Sequence, residues 1–171
     1  FLGTPSIAVP FLERLHQLTS VRCVVTNPDQ PAGRGYQLKP SPVKEAALRL
    51  SVPLLQPEKV QDPGVLQALR GFSPELGVVV AYGKLLPRNL LQIPTFGFLN
   101  VHFSLLPAYR GAAPIQWTLI NGETETGVTL FWLDEGMDTG PIFIQKKIRI
   151  QPEDDADSLR NKLVELGVSC M

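Results

Sequence analysis

Leu76-Gly77-Val78-Val79-Val80-Ala81 is the stretch that decides the fold. It is apolar throughout, so it predicts a strand in a sheet covered on both faces. Upstream, apolar residues at 7, 8, 11, 12, 15 and 18 form a helical stripe over residues 7–18. Residues 21–26 are a short β-branched run and predict a buried strand. Residues 27–42 hold four prolines and two glycines in sixteen positions and predict a loop. Ser41-Pro42 supplies an N-cap and a first-turn proline for a helix running through Ala46, Ala47 and Leu50. Residues 52–55 predict a brief strand, and Asp62-Pro63 opens a helix ending near Arg70-Gly71. Downstream, residues 85–91 read as a short helix or turn and 97–102 as the next strand. Residues 114–120 read as a helix stopped by Asn121-Gly122. Residues 126–133 and 142–150 read as paired strands, and 157–168 as a last helix. This alternation predicts a doubly wound α/β sheet, mostly parallel, with helices on both faces and antiparallel strands late in the chain.

A length of 171 residues suits one domain with a substantial core. Lys and Arg number 16, as do Asp and Glu, which argues against a uniformly basic nucleic-acid binder but leaves room for a local basic patch. No apolar run approaches the roughly 20 residues needed to span a bilayer. Cys23 sits in an apolar strand-like run and is expected to be a buried free thiol. His16 is alone on a helix, so no metal-ligand cluster is expected. This cysteine usage fits a reducing cytoplasm or organelle matrix. Phe1-Leu2-Gly3-Thr4-Pro5 reads as the end of a first strand and its exit turn, and the chain stops just after a helical segment. A fragment of a longer protein is therefore expected.

The chemistry gathers around Asn100-Val101-His102. This triplet ends the apolar run Phe96-Gly97-Phe98-Leu99 and opens into Ser104-Leu105-Leu106-Pro107, then Tyr109-Arg110-Gly111-Ala112-Ala113-Pro114. Asp138 follows His102 by thirty-six residues, within Gly136-Met137-Asp138-Thr139-Gly140. A strand ending on polar residues before a Pro/Gly loop is how α/β enzymes present side chains at the carboxyl ends of strands. Acyl transfer needs a group to stabilise an oxyanion, a group to move a proton, and a group to tune the proton mover. Asn100, His102 and Asp138 suit those roles in turn. Each alone would pass as a turn former or a strand-end residue; the flanks make the set.

Ser104 to Pro107 also suits a pocket wall whose backbone faces a flat heterocycle. Tyr82-Gly83-Lys84-Leu85-Leu86-Pro87 follows the central strand and is expected at the same sheet edge, with Gly83 letting the backbone approach a ligand. Pro31-Ala32-Gly33-Arg34-Gly35 lacks the phosphate-loop pattern and reads as an arm that orders on a partner. Arg34, Lys39 and Lys44 outnumber Asp29 and Glu45 there, which suits a phosphate-bearing partner. Glu153-Asp154-Asp155 reads as dipole and cap chemistry for the last helix.

These segments resemble the formyltetrahydrofolate-dependent formyltransferases: 100–107, Arg110-Gly111-Ala112-Ala113-Pro114-Ile115-Gln116, Glu125-Thr126-Gly127-Val128-Thr129 and Asp138-Thr139-Gly140. Asn27-Pro28-Asp29-Gln30-Pro31-Ala32-Gly33-Arg34-Gly35, with Pro40-Ser41-Pro42-Val43-Lys44, resembles the loop of those members that formylate methionyl-tRNA. The resemblance covers essentially the whole chain. It implies a Rossmann-like formyltransferase domain over 1–171, with a tRNA-binding β-barrel domain beyond it. It places the catalytic residues at Asn100, His102 and Asp138. It places contacts to the formyl donor, 10-formyltetrahydrofolate, at Ser104, Leu105, Leu106 and Pro107, with Tyr82, Leu85, Leu86 and residues 133–138 as further walls. It places tRNA contacts at Gly33, Arg34, Gly35 and Lys39. It implies initiator methionyl-tRNA as acceptor, no metal, no membrane, a monomer, and a bacterial cytoplasm or organellar matrix. Phe103 stands where the family commonly has a small residue or proline, and its ring is expected to reshape the mouth of the site. A purine-precursor or sugar-nucleotide formyltransferase, or a formyltetrahydrofolate hydrolase, would share the chemistry without needing the arm. A dinucleotide-dependent oxidoreductase would need three glycines where Gly3-Thr4-Pro5 offers one.

Overall fold

The computed structural model describes residues 1–32 and 37–171, with the backbone alone for Ala32 and Gln37. The chain forms two compact units, Phe1–Phe98 and Leu99–Met171.

The first unit contains β1 (Leu2–Gly3), a 3-10 turn (Ser6–Ala8), α1 (Val9–Leu18), β2 (Val24–Val25), β3 (Gln30–Ala32), β4 (Gln37–Lys39), α2 (Pro42–Arg49), β5 (Leu54–Leu55), α3 (Pro63–Gly71), β6 (Gly77–Val80) and α4 (Arg88–Leu91). Its parallel sheet runs β5-β2-β1-β6. The chain steps outward from β1 to β2 and β5, then returns to the other side of β1 as β6. Right-handed crossovers that step in opposite directions lie on opposite faces, so this order is the double winding expected from the sequence. All four residues of β6 are buried, as an unbroken apolar run requires. Phe11, Leu12, Val24, Val43, Ala46, Ala47 and Val80 are fully buried around it. Gly3 ends β1 because a Cβ there would lie 2.8 Å from the Val80 carbonyl oxygen.

The reversal of direction between β1 and β6 leaves a crevice beyond their carboxyl ends. Asn27 stitches that edge: its N–H donates to Thr4 Oγ1 at 3.4 Å and its Nδ2 to the Tyr82 carbonyl at 3.1 Å. Gln56 Nε2 donates to the Asn27 carbonyl and to Asp29 Oδ1, and Lys44 Nζ reaches Asp29 Oδ2 at 2.6 Å. Lys44 and Gln56 together hold the Asp29 carboxyl below its ordinary range. The two expected caps are present: Ser41 Oγ accepts from the Lys44 N–H, and Asp62 Oδ1 from the Gly64 N–H.

Two differences from the sequence reading have physical causes. The expected loop contains an antiparallel pair, Gln30↔Lys39 through Ala32↔Gln37. Its strands are polar or proline-bearing and follow no apolar period, so only the backbone marks them. The expected strand at 52–55 shrinks to two residues because the Val52 N–H is bonded to Ala47, at the end of α2.

The second unit takes β7 (Phe98–His102), α5 (Pro114–Ile120), β8 (Glu125–Trp132), β9 (Ile142–Arg149) and α6 (Ala156–Val168). β7, β8 and β9 are antiparallel, the late strands the sequence predicted. α6 lies against β8 and α5. Asp155 closes a capping box with Ser158. Asp154, whose side chain is 2% exposed, accepts from Lys162 Nζ and the Gln151 N–H. Lys162 is the largest cause that holds the Asp154 pKa down to about 2. A depressed carboxylate stabilises the fold above its unfolded pKa of about 3.9, and that contribution is lost as pH falls through the folded value. Asp154→Asn is therefore expected to lower the melting temperature at pH 7. The gap to wild type should close as pH falls from about 4 toward 2. A gap that stayed constant across a pH series of thermal melts would contradict the assignment.

Candidate active site

β7 ends at His102, which is 6% exposed. Its Nε2 lies 2.8 Å from the Tyr109 carbonyl oxygen. A carbonyl can only accept, so Nε2 carries the hydrogen. Nδ1 lies 3.6 Å from Asp138 Oδ2. That distance brings the two groups into electrostatic contact but is long for a charge-assisted hydrogen bond of about 2.7–2.9 Å, so Nδ1 is not committed to the carboxylate. Asp138 is itself held by the Gly111 N–H, which donates to Oδ2 at 2.7 Å. The group that orients the ring is thus the Tyr109 carbonyl rather than Asp138. No side-chain pattern announces a backbone carbonyl, so this contact is invisible before folding. Gly111 left a weak signal, a glycine at φ 86°.

Asn100 lies two residues before His102 on β7, hence on the same face of the strand. No described residue hydrogen-bonds its side chain, so the amide is available as a donor. Asp138 takes a left-handed conformation at φ 53°. Its turn is tied by Asp134 Oδ1, which accepts from the Gly136 N–H and from Thr139 Oγ1. Gly140 closes the turn against β8, where a Cβ would lie 1.8 Å from the Trp132 carbonyl oxygen.

The segment Ser104 to Pro107 is fixed from beneath. His102, Thr129 and Gln145 are direct cross-strand partners and form one row across β7, β8 and β9. The fully buried Thr129 donates to the Ser104 carbonyl at 2.7 Å and accepts from the Leu106 N–H at 3.2 Å. Gln145 Nε2 donates to Thr129 Oγ1 and to the Leu106 carbonyl. Ser104 Oγ donates to the Ala108 carbonyl. Thr129 and Gln145 were missed in the sequence; their alternation with His102 across the register becomes visible only once the strands are paired. Phe103 is 6% exposed, so its bulk is taken into the interior rather than standing at an open mouth.

Tyr82, Leu85 and Leu86 follow β6 in the first unit. Tyr82 and Leu86 are buried, while Leu85 is 71% exposed. Burial raises the Tyr82 phenol above its ordinary pKa. Lys39 is exposed on β4. Gly33, Arg34 and Gly35 lie outside the described residues. Cys23 is a buried free thiol whose pKa burial pushes up to about 11. Among the described residues no cluster of three His, Cys, Asp or Glu side chains could hold a metal, and no helix is long and apolar enough to cross a membrane.

Thr129→Val keeps the shape and removes the hydroxyl. It strands the Leu106 N–H and the Ser104 carbonyl, so a loss of about 1–3 kcal/mol in urea unfolding is expected. A loss within about 0.5 kcal/mol, the range of a neutral surface substitution, would show that the hydroxyl is not the anchor.

A family model described as formyl transferase matches residues 1–171. A methionyl-tRNA formyltransferase of Elusimicrobium minutum is 51% identical over 167 residues, covering 98% of this chain and 50% of that protein. One of Thermodesulfovibrio yellowstonii is 52% identical over 168 residues, covering 98% of this chain and 54% of that protein. The chain thus spans about half the length of the curated relatives it matches. Among solved structures, a phosphoribosylglycinamide formyltransferase from Bacillus halodurans superposes with a TM-score of 0.81 at 25% identity, over 98% of this chain and 88% of that one. A sugar N-formyltransferase from Shewanella shares the fold, with a TM-score of 0.70 at 16% identity over 98% of this chain and 63% of that one.

Proposed function

This chain belongs to the formyl transferase family, and we propose that residues 1–171 carry the catalytic part of an enzyme that formylates the α-amino group of initiator methionyl-tRNA. The observation that carries this reading is the His102–Asp138 pair, with the Asn100 side chain, which no described residue hydrogen-bonds, on the same face of β7. The formyl donor of the family is a formyltetrahydrofolate, which supplies an activated formyl carbon. The amine forms a bond to that carbon, the bond to the folate nitrogen breaks, and a proton passes from the amine to the folate.

Asn100 and His102 serve the oxyanion that develops on the formyl oxygen. Asn100 donates from its amide. When the ring carries a second proton, His102 donates from Nδ1, whose 3.6 Å separation from Asp138 leaves that N–H uncommitted to the carboxylate. Asp138 receives the amine proton, directly or through a water, and passes it on to the folate. Donors of this kind are worth about 10²–10³ in rate each. Ser104 to Pro107, pinned by Thr129 and Gln145, form a rigid wall for the flat donor.

The acceptor comes from the names of the curated relatives and from the arm that includes Arg34 and Lys39. A purine-precursor acceptor is the reading favoured by the solved structures that share the fold, and it leaves that arm without a role. The setting that follows is translation initiation in a bacterial cytoplasm.

The test is single-turnover transfer of labelled formyl from 10-formyltetrahydrofolate by the full-length natural protein. Methionyl-tRNA, an amino-sugar nucleotide, glycinamide ribonucleotide and water are offered separately. Label is expected on methionyl-tRNA, with His102→Ala slowing transfer about 10²–10³-fold and Arg34→Ala weakening use of methionyl-tRNA without loss of folate binding. Label on a small amine, or released as formate with every acceptor, would overturn the reading.

A further inference from the structure

His102 and Asp138 are both held by one short loop. The Tyr109 carbonyl receives the His102 Nε2 hydrogen, and the Gly111 N–H donates to Asp138. The loop does this in an unfavourable backbone conformation. Tyr109, Gly111 and Ala113 have φ values of 58°, 86° and 60°. Glycine adopts the left-handed region freely, but a residue with a Cβ is disfavoured there. A Tyr109 backbone relaxed toward the right-handed region would swing its carbonyl away from His102. Something must select the observed conformer.

The Tyr109 side chain supplies that selection. Its hydroxyl donates to Glu123 Oε1 at 2.5 Å and accepts from Asn121 Nδ2 at 3.0 Å. The Asn121 Nδ2 that meets the hydroxyl can only donate, so the phenolic hydrogen is committed to Glu123. The Glu123 carboxylate holds the phenol above its ordinary pKa, so it remains a donor at neutral pH. Both anchors are tied to the end of α5: the Asn121 N–H bonds to Trp117, and the Glu123 N–H to Thr118. Ala113 starts that same helix. The loop is therefore fixed at its exit by the start of α5 and at Tyr109 by the residues that follow its end.

We propose that Tyr109 is a positioning residue for transfer: its hydroxyl, held by Glu123 and Asn121, keeps its own carbonyl on His102 Nε2 and so fixes which ring nitrogen faces Asp138. The inference rests on the reading of His102 as the proton-moving group.

The experiment uses the full-length natural protein with nitrogen-labelled histidine and reads the His102 ring without either substrate. Wild type is expected to show a hydrogen on Nε2 that exchanges slowly with water. Tyr109→Phe is expected to speed that exchange and to lower kcat about fivefold to tenfold, the effect of one lost hydrogen bond, with KM for the formyl donor unchanged. Glu123→Ala should reproduce both effects, whereas Glu123→Gln keeps an acceptor and should retain wild-type behaviour. A ring signal and kcat that stay at wild-type values in both Tyr109→Phe and Glu123→Ala would overturn the proposal, as would a loss confined to KM. Since the ring is read without substrate, failure of the wild-type enzyme to formylate methionyl-tRNA would count against the function and not against this clamp.

Discussion

A buried imidazole needs an acceptor for each hydrogen it carries, and the second unit is arranged around that need at His102. One nitrogen is met at close range by the Tyr109 carbonyl, and the other faces Asp138 across a longer gap. The inequality is what makes the ring useful. A histidine tied tightly on both sides would be a structural residue, and one tied on neither would have no fixed direction. The close bond sets the orientation. The loose side leaves Nδ1 free to meet a ligand.

The surrounding structure serves to hold these two contacts. β7 must stop at His102 so that the chain can turn back and bring Tyr109 to the ring. The strand row His102–Thr129–Gln145 then anchors the segment just beyond the turn, so the backbone at Ser104 and Leu106 is held in place from within. Asp138 occupies a left-handed position in a turn tied by Asp134 and closed by Gly140. In the first unit the same logic works at a different edge. Double winding of the sheet opens the carboxyl ends of β1 and β6, and Asn27 ties the loops that leave them. The fold is shared with formyltransferases named for quite different acceptors, so acceptor choice must reside in side chains and loops laid over a common frame.

The elements legible in the sequence were those whose side chains report burial directly. The apolar run at 76–81 became β6, the stripe at 7–18 became α1, and Asp62-Pro63 and Ser41-Pro42 capped the helices they announced. His102 and Asp138, singled out together by their flanks, do lie close to each other. What could not be read was carried by the backbone or by pairing. The Tyr109 carbonyl and Gly111 N–H have no side-chain signature. Thr129 and Gln145 become partners of the loop only through the register of β8 and β9. The β3–β4 pair lacks apolar alternation altogether. The sequence offered Asp138 as the partner of His102 because side chains are what a sequence displays, whereas the shorter bond to the ring comes from a main-chain oxygen.

The central claim is that His102 and Asp138 act as one unit. A double-mutant cycle on formyl transfer by the full-length protein tests it most directly, comparing kcat/KM for His102→Ala, Asp138→Ala and the combined variant. Groups that work as a unit are strongly non-additive. The account predicts that the combined variant is no slower than the worse single variant. Losses that multiply, each substitution retaining its full effect in the presence of the other, would show two independent contributions and contradict it.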